Sequence, residues 1–201
     1  MGAELRLLIL VAVAVLASTA SAFGHENQVI LFGPFLGGFT HPVLGLDHFI
    51  AMLSVGIVSA ILGGRAIWGV PATFVSFMAI GGLLGWSKVG LAMPVVETGI
   101  ALSVILLGLL IAIYRQMPAF YVAIPVAFFG TMHGYAHGAE IPSIADPVQY
   151  AAGFMIGTIV IHLAGVLIGD ISRRYANDRV ALRVAGGVFV LTGGLFLAGV
   201  I

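Results

Sequence analysis

Histidines and carboxylates are concentrated in two short stretches of this chain. One stretch, HPVLGLDH, covers residues 41–48, and the other, HGYAHGAE, covers residues 133–140. Imidazole and carboxylate ligands together suit nickel, cobalt, copper or zinc, whereas magnesium and calcium prefer shells of oxygen alone. Because the chain contains no cysteine, disulfides, thiolate ligands and cysteine nucleophiles are excluded. The two stretches therefore predict a transition-metal site built from nitrogen and oxygen.

The second stretch has the spacing of ligands on one helix. His133, His137 and Glu140 follow one another at intervals of four and three residues, so in an α-helix their side chains project from the same face. Two imidazoles one turn apart can bind one metal ion together. We therefore expect His133, His137 and Glu140 to point toward a common ion.

The first stretch contributes His41, Asp47 and His48. Pro42 is suited to the first turn of a helix, so we expect a helix to begin near His41. Asp47 and His48 would then lie about 10 Å along its axis. His41 and His48 would share a face, with Asp47 rotated by about 100° from His48. Asp47 has two roles open to it, direct binding of the ion or orientation of an imidazole.

The rest of the chain must hold these residues inside a membrane. Of its 201 residues, 61% are hydrophobic and 8% are charged, against about a quarter charged in soluble domains. The net charge is +0, which gives no support to a nucleic-acid partner. Since a membrane crossing needs roughly 20 apolar residues, the sequence predicts an all-α fold, a polytopic transmembrane helical bundle forming one domain over residues 23–201. The six predicted spans lie near residues 41–63, 67–86, 95–114, 119–139, 147–169 and 181–200.

Residues 1–22 resemble a secretory signal peptide. Arg6 precedes an apolar run, and the small residues that follow end in Ala20-Ser21-Ala22, an A-x-A cleavage pattern. We expect cleavage after Ala22, with an uncleaved signal anchor as the alternative. Cleavage would leave the mature N-terminus in the periplasm.

The distribution of positive charge independently predicts the orientation. The loops after the first, third and fifth predicted spans carry arginines, whereas the loops on the other side carry a single lysine, Lys88. The arginines are Arg65, Arg115, Arg173, Arg174, Arg179 and Arg183. Because positively charged loops stay in the cytoplasm, both termini of the mature chain should be periplasmic, with the spans in the bacterial inner membrane.

Glycines at four-residue intervals predict close packing of helices. Gly130, Gly134 and Gly138 lie beside the histidines of the fourth span, and Gly153 and Gly157 lie in the fifth. Small residues at this spacing let helix backbones approach one another. We expect a neighbouring helix to pack against the glycines of the fourth span, next to the predicted ligands.

The predicted orientation brings the two stretches to the same depth. The first span runs inward and the fourth runs outward, so at about 1.5 Å per residue His133 reaches the depth of Asp47 and His48. His41 and Glu140 both lie near the outer mouth. The sequence therefore predicts one funnel-shaped site open to the periplasm, provided that the two helices are neighbours.

Three further candidates for metal binding lie outside the two stretches. His162, deeper in the fifth span and one turn from Thr158, is either a relay ligand on the exit route or a histidine hydrogen-bonded to a carbonyl group. Glu97, near the outer end of the third span, is either a rim charge or a ligand. Cleavage after Ala22 would make His25 the third residue of the mature chain. A terminal amine, two amides and that imidazole would form the square-planar nitrogen set that nickel and copper favour.

The two stretches resemble the motifs of the HupE/UreJ family of nickel and cobalt permeases. They read H-P-x-x-G-x-D-H in the first span and H-G-x-x-H-G-x-E in the fourth, and the likeness extends over essentially the whole chain. The resemblance implies secondary uptake of nickel or cobalt, serving hydrogenase or urease maturation or cobalamin synthesis. The metal would be the transported substrate, and no cofactor is implied. Carried over by position, the motif residues are His41, Asp47, His48, His133, His137 and Glu140.

Two other classes of protein use the same ligands. A membrane-embedded zinc-dependent hydrolase would use them to activate water, but the sequence has neither an H-E-x-x-H nor a G-x-S-x-G motif. A metal sensor or assembly factor would bind the ion without transporting it. We predict that the protein is a permease and not an enzyme. The choice between nickel and cobalt, the coupling of transport and the formation of a homo-oligomer stay open.

Overall fold

The computed structural model describes residues 25–88, 90–174 and 176–201, and the regular structure in these ranges is α-helical. Seven helices lie within them. They are α1 (His25–Leu44), α2 (Leu46–Leu62), α3 (Ala66–Trp86), α4 (Met93–Ile113), α5 (Phe120–Ala139), α6 (Pro147–Arg174) and α7 (Ala176–Leu197). The predicted all-α fold is confirmed for these residues. The signal peptide predicted for residues 1–22 lies outside them.

Several of the helices have the length and composition of membrane spans. Four qualify on their own, namely α3, α4, α6 and Arg179–Leu197 of α7, and a fifth crossing arises if Gly33–Leu44 and Leu46–Leu62 count as one bent span. Helix α5 is 20 residues long, but its second half carries two histidines and it does not qualify. The described residues thus form a multi-pass helical membrane protein with four or five candidate spans, and the six predicted spans are not confirmed.

The first predicted span consists of two helices joined at a sharp bend. The second half of α1 and the whole of α2 differ in direction by 80°. Gly45 between them has an extended backbone, with φ of −85° and ψ of 108°, and this breaks the helix. The expectation of one continuous helix near 41–63 is therefore wrong. Pro42 lies near the end of α1 rather than in the first turn of a span, and Asp47 occupies the first turn of α2.

Helix α2 is the central helix of the bundle. Every residue from Ile50 to Ile61 is buried, and α2 packs against α3, α4 and α6. The surrounding helices expose large apolar side chains, among them Trp68, Leu83 and Leu191, as expected of a surface that faces lipid. The bend therefore places the first turn of α2 at the end of the bundle core.

Glycines bring pairs of helices into backbone contact, as their spacing predicts. On α5, a methyl group added at Gly134 would overlap the carbonyl oxygen of Met78 in α3. On α6, a methyl group at Gly153 would overlap a carbonyl oxygen of α1, and one at Gly165 would overlap a carbonyl oxygen of α2. Helix α3 is thus held tightly against α5, and α1 and α2 are held tightly against α6.

Candidate metal centre

Four histidines from the two motifs lie against one another inside the bundle. The ring centroid of His48 in α2 is 4.3 Å from that of His137 and 4.7 Å from that of His133, both in α5. The ring of His41, near the end of α1, is 4.7 Å from that of His137. The bend after α1 allows His41 and His48 to approach α5 from two different helices. We refer to these four residues as the histidine cluster.

The histidine cluster is shielded from solvent. His133 is fully buried, His41 and His137 are 7% and 6% exposed, and the side chain of His48 is 12% exposed. The ring of Phe154 in α6 covers His137 at a centroid distance of 4.0 Å. Burying polar rings is costly unless they find partners or bind a ligand, and such residues inside a membrane domain are candidates for function.

Asp47 holds the ring of His48 from one side. One carboxylate oxygen of Asp47, Oδ1, accepts hydrogen bonds from Nδ1 of His48 at 2.7 Å and from its backbone N–H at 2.8 Å. Because an ionised carboxylate can only accept, Nδ1 carries the proton and Nε2 of the neutral ring keeps its lone pair. Nε2 is buried and has no hydrogen-bond partner among the described residues. Of the two roles open to Asp47, the geometry is that of orienting an imidazole.

Sequence reasoning missed the residue that contacts His133. The hydroxyl of Ser103, on α4, lies 3.0 Å from Nε2 of His133, and both residues are fully buried. Helix α4 therefore contributes to the surroundings of the cluster, in addition to α1, α2 and α5. The available signal was a lone serine in an apolar stretch of α4, which gives no indication of its partner.

The four rings pack edge to face. The planes of His41 and His137 meet at 90°, and those of His48 and His133 meet at 88°. Within the ranges that the structure describes, no three His, Asp or Glu side chains are arranged so that they could hold a metal ion. The four rings are adjacent, but their nitrogens do not converge on a common point in this arrangement.

Comparison with known proteins agrees with the two motifs. The profile of the family described as HupE / UreJ protein matches residues 10–196. The chain belongs to the HupE/UreJ family. It is 44% identical over 165 residues to "Protein HupE" of Rhizobium leguminosarum bv. viciae. The matched segment covers 82% of this chain and 84% of the relative. No solved structure matches it. The family resemblance predicted from the motifs is confirmed.

His162 of this HupE/UreJ protein lies apart from the histidine cluster. It is 2% exposed, and the ring of Phe74 contacts both His162 and His133, at centroid distances of 5.1 Å and 5.4 Å. Neither ring nitrogen of His162 has a hydrogen-bond partner among the described residues. This geometry does not support the alternative of a histidine bonded to a neighbouring carbonyl group.

The remaining predicted ligands are peripheral. Glu140 follows the last turn of α5 and is exposed. Glu97 is on the exposed side of α4, whereas its neighbours Val96 and Ile100 are buried. His25 begins α1, and its side chain lies outside the described part of the structure. The buried histidines of the HupE/UreJ motifs thus form the centre of the candidate site, and the two glutamates lie toward its edge.

Two cavities flank the contact between α3 and α6. One, of about 360 Å³, is lined by residues of α3, α5 and α6 that include His137. The other, of about 370 Å³, is lined by residues of α3 and α6 that include His162. Between the cavities the two helices meet, with Oγ1 of Thr158 3.8 Å from Sδ of Met78. The candidate site of this HupE/UreJ protein therefore lies beside the contact between α3 and α6, and a cavity lies at each end of that contact.

Proposed function

We propose that this protein is a bacterial inner-membrane permease that takes up nickel or cobalt through an ion site formed by His41, Asp47, His48, His133, His137 and Glu140. Membership of the HupE/UreJ family supports a transporter rather than an enzyme. The observation that carries the proposal is the meeting of two motifs that are distant in sequence. Their histidine rings approach to centroid distances between 4.3 and 4.7 Å.

The imidazoles are the proposed ligands, with Asp47 behind one of them. Nε2 of His48 is directed away from the carboxylate and can bind an ion while Nδ1 stays hydrogen-bonded to Asp47. A carboxylate in this position fixes the ring and makes its free nitrogen a stronger donor. His41, His133 and His137 would supply the other nitrogen ligands.

Binding would require the rings to rotate from their edge-to-face packing. The torsion that turns an imidazole about its bond to Cβ is broad, so donors that already touch can be redirected at modest cost. Glu140 and His41, nearest the predicted periplasmic mouth, would meet the hydrated ion first. His48, His133 and His137 would then replace its water ligands.

The ion would continue inward past Phe74 toward His162. We propose that residues 1–22 are removed and that both termini of the mature chain are periplasmic, so this direction leads into the cell. The sequence has no G-x-x-x-x-G-K-[ST] motif for nucleotide binding. The membrane potential supplies about 2.3 kcal/mol per charge for each 100 mV, and a divalent ion gains about twice that amount. The imported metal would serve hydrogenase or urease maturation or cobalamin synthesis.

Transport into liposomes tests the proposal directly. The purified protein, reconstituted with an inside-negative potassium diffusion potential, should accumulate radiolabelled nickel or cobalt above the level of protein-free liposomes. Competition between the two metals identifies the preferred cargo. The variant His133→Ala should lose the accumulation.

The same experiment separates the alternatives. A zinc-dependent hydrolase would cleave a substrate without accumulating metal, and a sensor or assembly factor would bind metal without accumulating it. Either result with the wild-type protein would contradict the proposed transport.

A further inference from the structure

Ser103 makes two short contacts that together fix the direction of its hydroxyl proton. Its Oγ lies 2.6 Å from the carbonyl oxygen of Ile100, one turn earlier on α4, and 3.0 Å from Nε2 of His133 on α5. A hydroxyl group has one proton to donate, and a carbonyl oxygen can only accept. Ser103 therefore donates to Ile100, and its remaining lone pairs face His133.

The direction of this proton determines the tautomer of His133. Because Oγ of Ser103 is an acceptor toward the ring, Nε2 must carry the hydrogen of their hydrogen bond. A neutral imidazole has a single N–H, so Nδ1 of His133 keeps its lone pair. Nδ1 is buried and has no hydrogen-bond partner among the described residues. A buried acceptor in this state is unfavourable unless something else binds it.

His48 shows the same arrangement with the two nitrogens exchanged. There the partner, Asp47, binds Nδ1 and leaves Nε2 available. The rings of His48 and His133 are in contact, with centroids 4.7 Å apart. Each ring thus has one nitrogen engaged by a neighbour and one buried nitrogen with a lone pair. Histidines that bind metals nearly always donate their other N–H to such a neighbour.

We infer that Ser103 is a positioning residue, which holds His133 in the Nε2–H tautomer so that Nδ1 is the nitrogen presented to the ion. The inference rests on the proposed function of the histidine cluster. It adds α4 to the helices that build the site, and it assigns His48 and His133 different donor atoms, Nε2 and Nδ1.

Nickel affinity of matched serine variants tests the role of Ser103. Ser59 is the control, since it too is fully buried and its hydroxyl donates to the carbonyl oxygen of Gly56, three residues earlier, at 2.7 Å. In equilibrium dialysis of the detergent-solubilised protein, Ser103→Ala should weaken nickel binding by roughly tenfold or more, as for other partners of metal-binding histidines. Ser59→Ala should leave binding unchanged, and Ser103→Thr, which keeps the hydroxyl, should restore most of it.

The tautomer itself is measured without metal. In protein labelled with ¹⁵N-histidine, the NMR signals of His133, identified by their absence from His133→Ala, should show a protonated Nε2 and an unprotonated Nδ1. Ser103→Ala should shift this signature toward the other tautomer, and Ser59→Ala should not. A protonated Nδ1 in the wild-type protein would overturn the inference even if the Ser103 variants did not fold.

The two possible failures are distinguishable. If the wild-type protein binds nickel and Ser103→Ala binds it equally well, the role of Ser103 is wrong and the proposed function stands. If the wild-type protein binds neither nickel nor cobalt, the proposed function is wrong, and with it the presentation of Nδ1 to an ion.

Discussion

On α5, His133 and His137 project from one face of a continuous helix whose glycines press against α3, whereas His41 and His48 reach the same cluster from either side of an 80° bend. Spacing along a sequence fixes the direction of side chains within one helix, but not across a break. The α5 half of the cluster is thus supported by rigid packing. The other half is also closely packed, against α6, but it depends in addition on the backbone at Gly45 and on the pairing of Asp47 with His48.

The largest expected effect is the loss of one histidine from either half. His48→Ala and His137→Ala should each reduce the initial rate of nickel uptake by more than about 100-fold, since the loss of a ligand exceeds the roughly 10- to 100-fold cost of losing its hydrogen-bond partner. If both halves bind one ion, the double variant should be little worse than either single variant. If the fold-reductions in uptake of the two single variants multiply in the double variant, the two motifs form separate sites.

A smaller loss is expected when the support of His48 is weakened but its ring is kept. Asp47→Asn removes the charge behind the ring and should weaken nickel binding by about 10- to 100-fold, measured by equilibrium dialysis. Asp170→Asn is the matched control, because Asp170 pairs with Arg174 at an exposed position and such pairs contribute little. If Asp47→Asn and Asp170→Asn bind nickel equally well, Asp47 does not contribute to the site.

The rigidity of the α5 half can be tested through its glycines. Gly134→Ala would force a methyl group into the backbone of α3 and should lower the free energy of unfolding by about 1–3 kcal/mol. Gly69→Ala on α3, where no atom lies within 4 Å of the added carbon, should instead be neutral or raise it by up to about 1 kcal/mol. Titration with SDS, followed by circular dichroism, measures both. Unchanged stability of Gly134→Ala would show that α3 and α5 can part easily.

The smallest effect is expected at the bend itself. The backbone angles of Gly45 are open to any residue, so Gly45→Ala should leave the free energy of unfolding within about 0.5 kcal/mol of the wild-type value. The added carbon would lie 3.3 Å from Oδ1 of Asp47 and 3.4 Å from Nδ1 of His48, which requires a slight shift of the pair. Nickel affinity should fall by less than about tenfold. A larger loss of affinity, or a loss of stability, would show that the bend requires glycine.

The helical fold and the shared face of His133 and His137 could be predicted because hydropathy and four-residue spacing are local properties of a sequence, whereas the approach of the two motifs could be expected only if their helices were neighbours. The bend could not be predicted. Pro42 favours a helix start, but α1 already runs through it, and the break follows at Gly45. Because the backbone angles of Gly45 are open to any residue, the sequence carries no strong signal of the break. The common depth predicted for His133 and His48 agrees with the contact between their rings, although the continuous helix assumed for His48 is wrong.

The partner of His133 illustrates a second limit. A serine in an apolar helix can bond to its own backbone, and Ser59 and Ser172 do so as well as Ser103. What distinguishes Ser103 is that α4 turns its hydroxyl toward α5, which depends on the packing of whole helices. Such a partner becomes visible only when the structure is known.

The glycine contacts also form two tightly packed groups of helices that share the cluster between them, α3 with α5 and α6 with α1 and α2. Helices α3 and α5 touch backbone to backbone, as α6 does with α1 and α2, so neither group can change shape easily. Between these groups, α3 meets α6 between two cavities and also packs against α2, and the histidine cluster joins the groups through its side chains. A tilt of one group against the other would therefore draw His41 and His48 away from His133 and His137 in a single motion. A single tilt of this kind would open the proposed ion site without four independent ring movements.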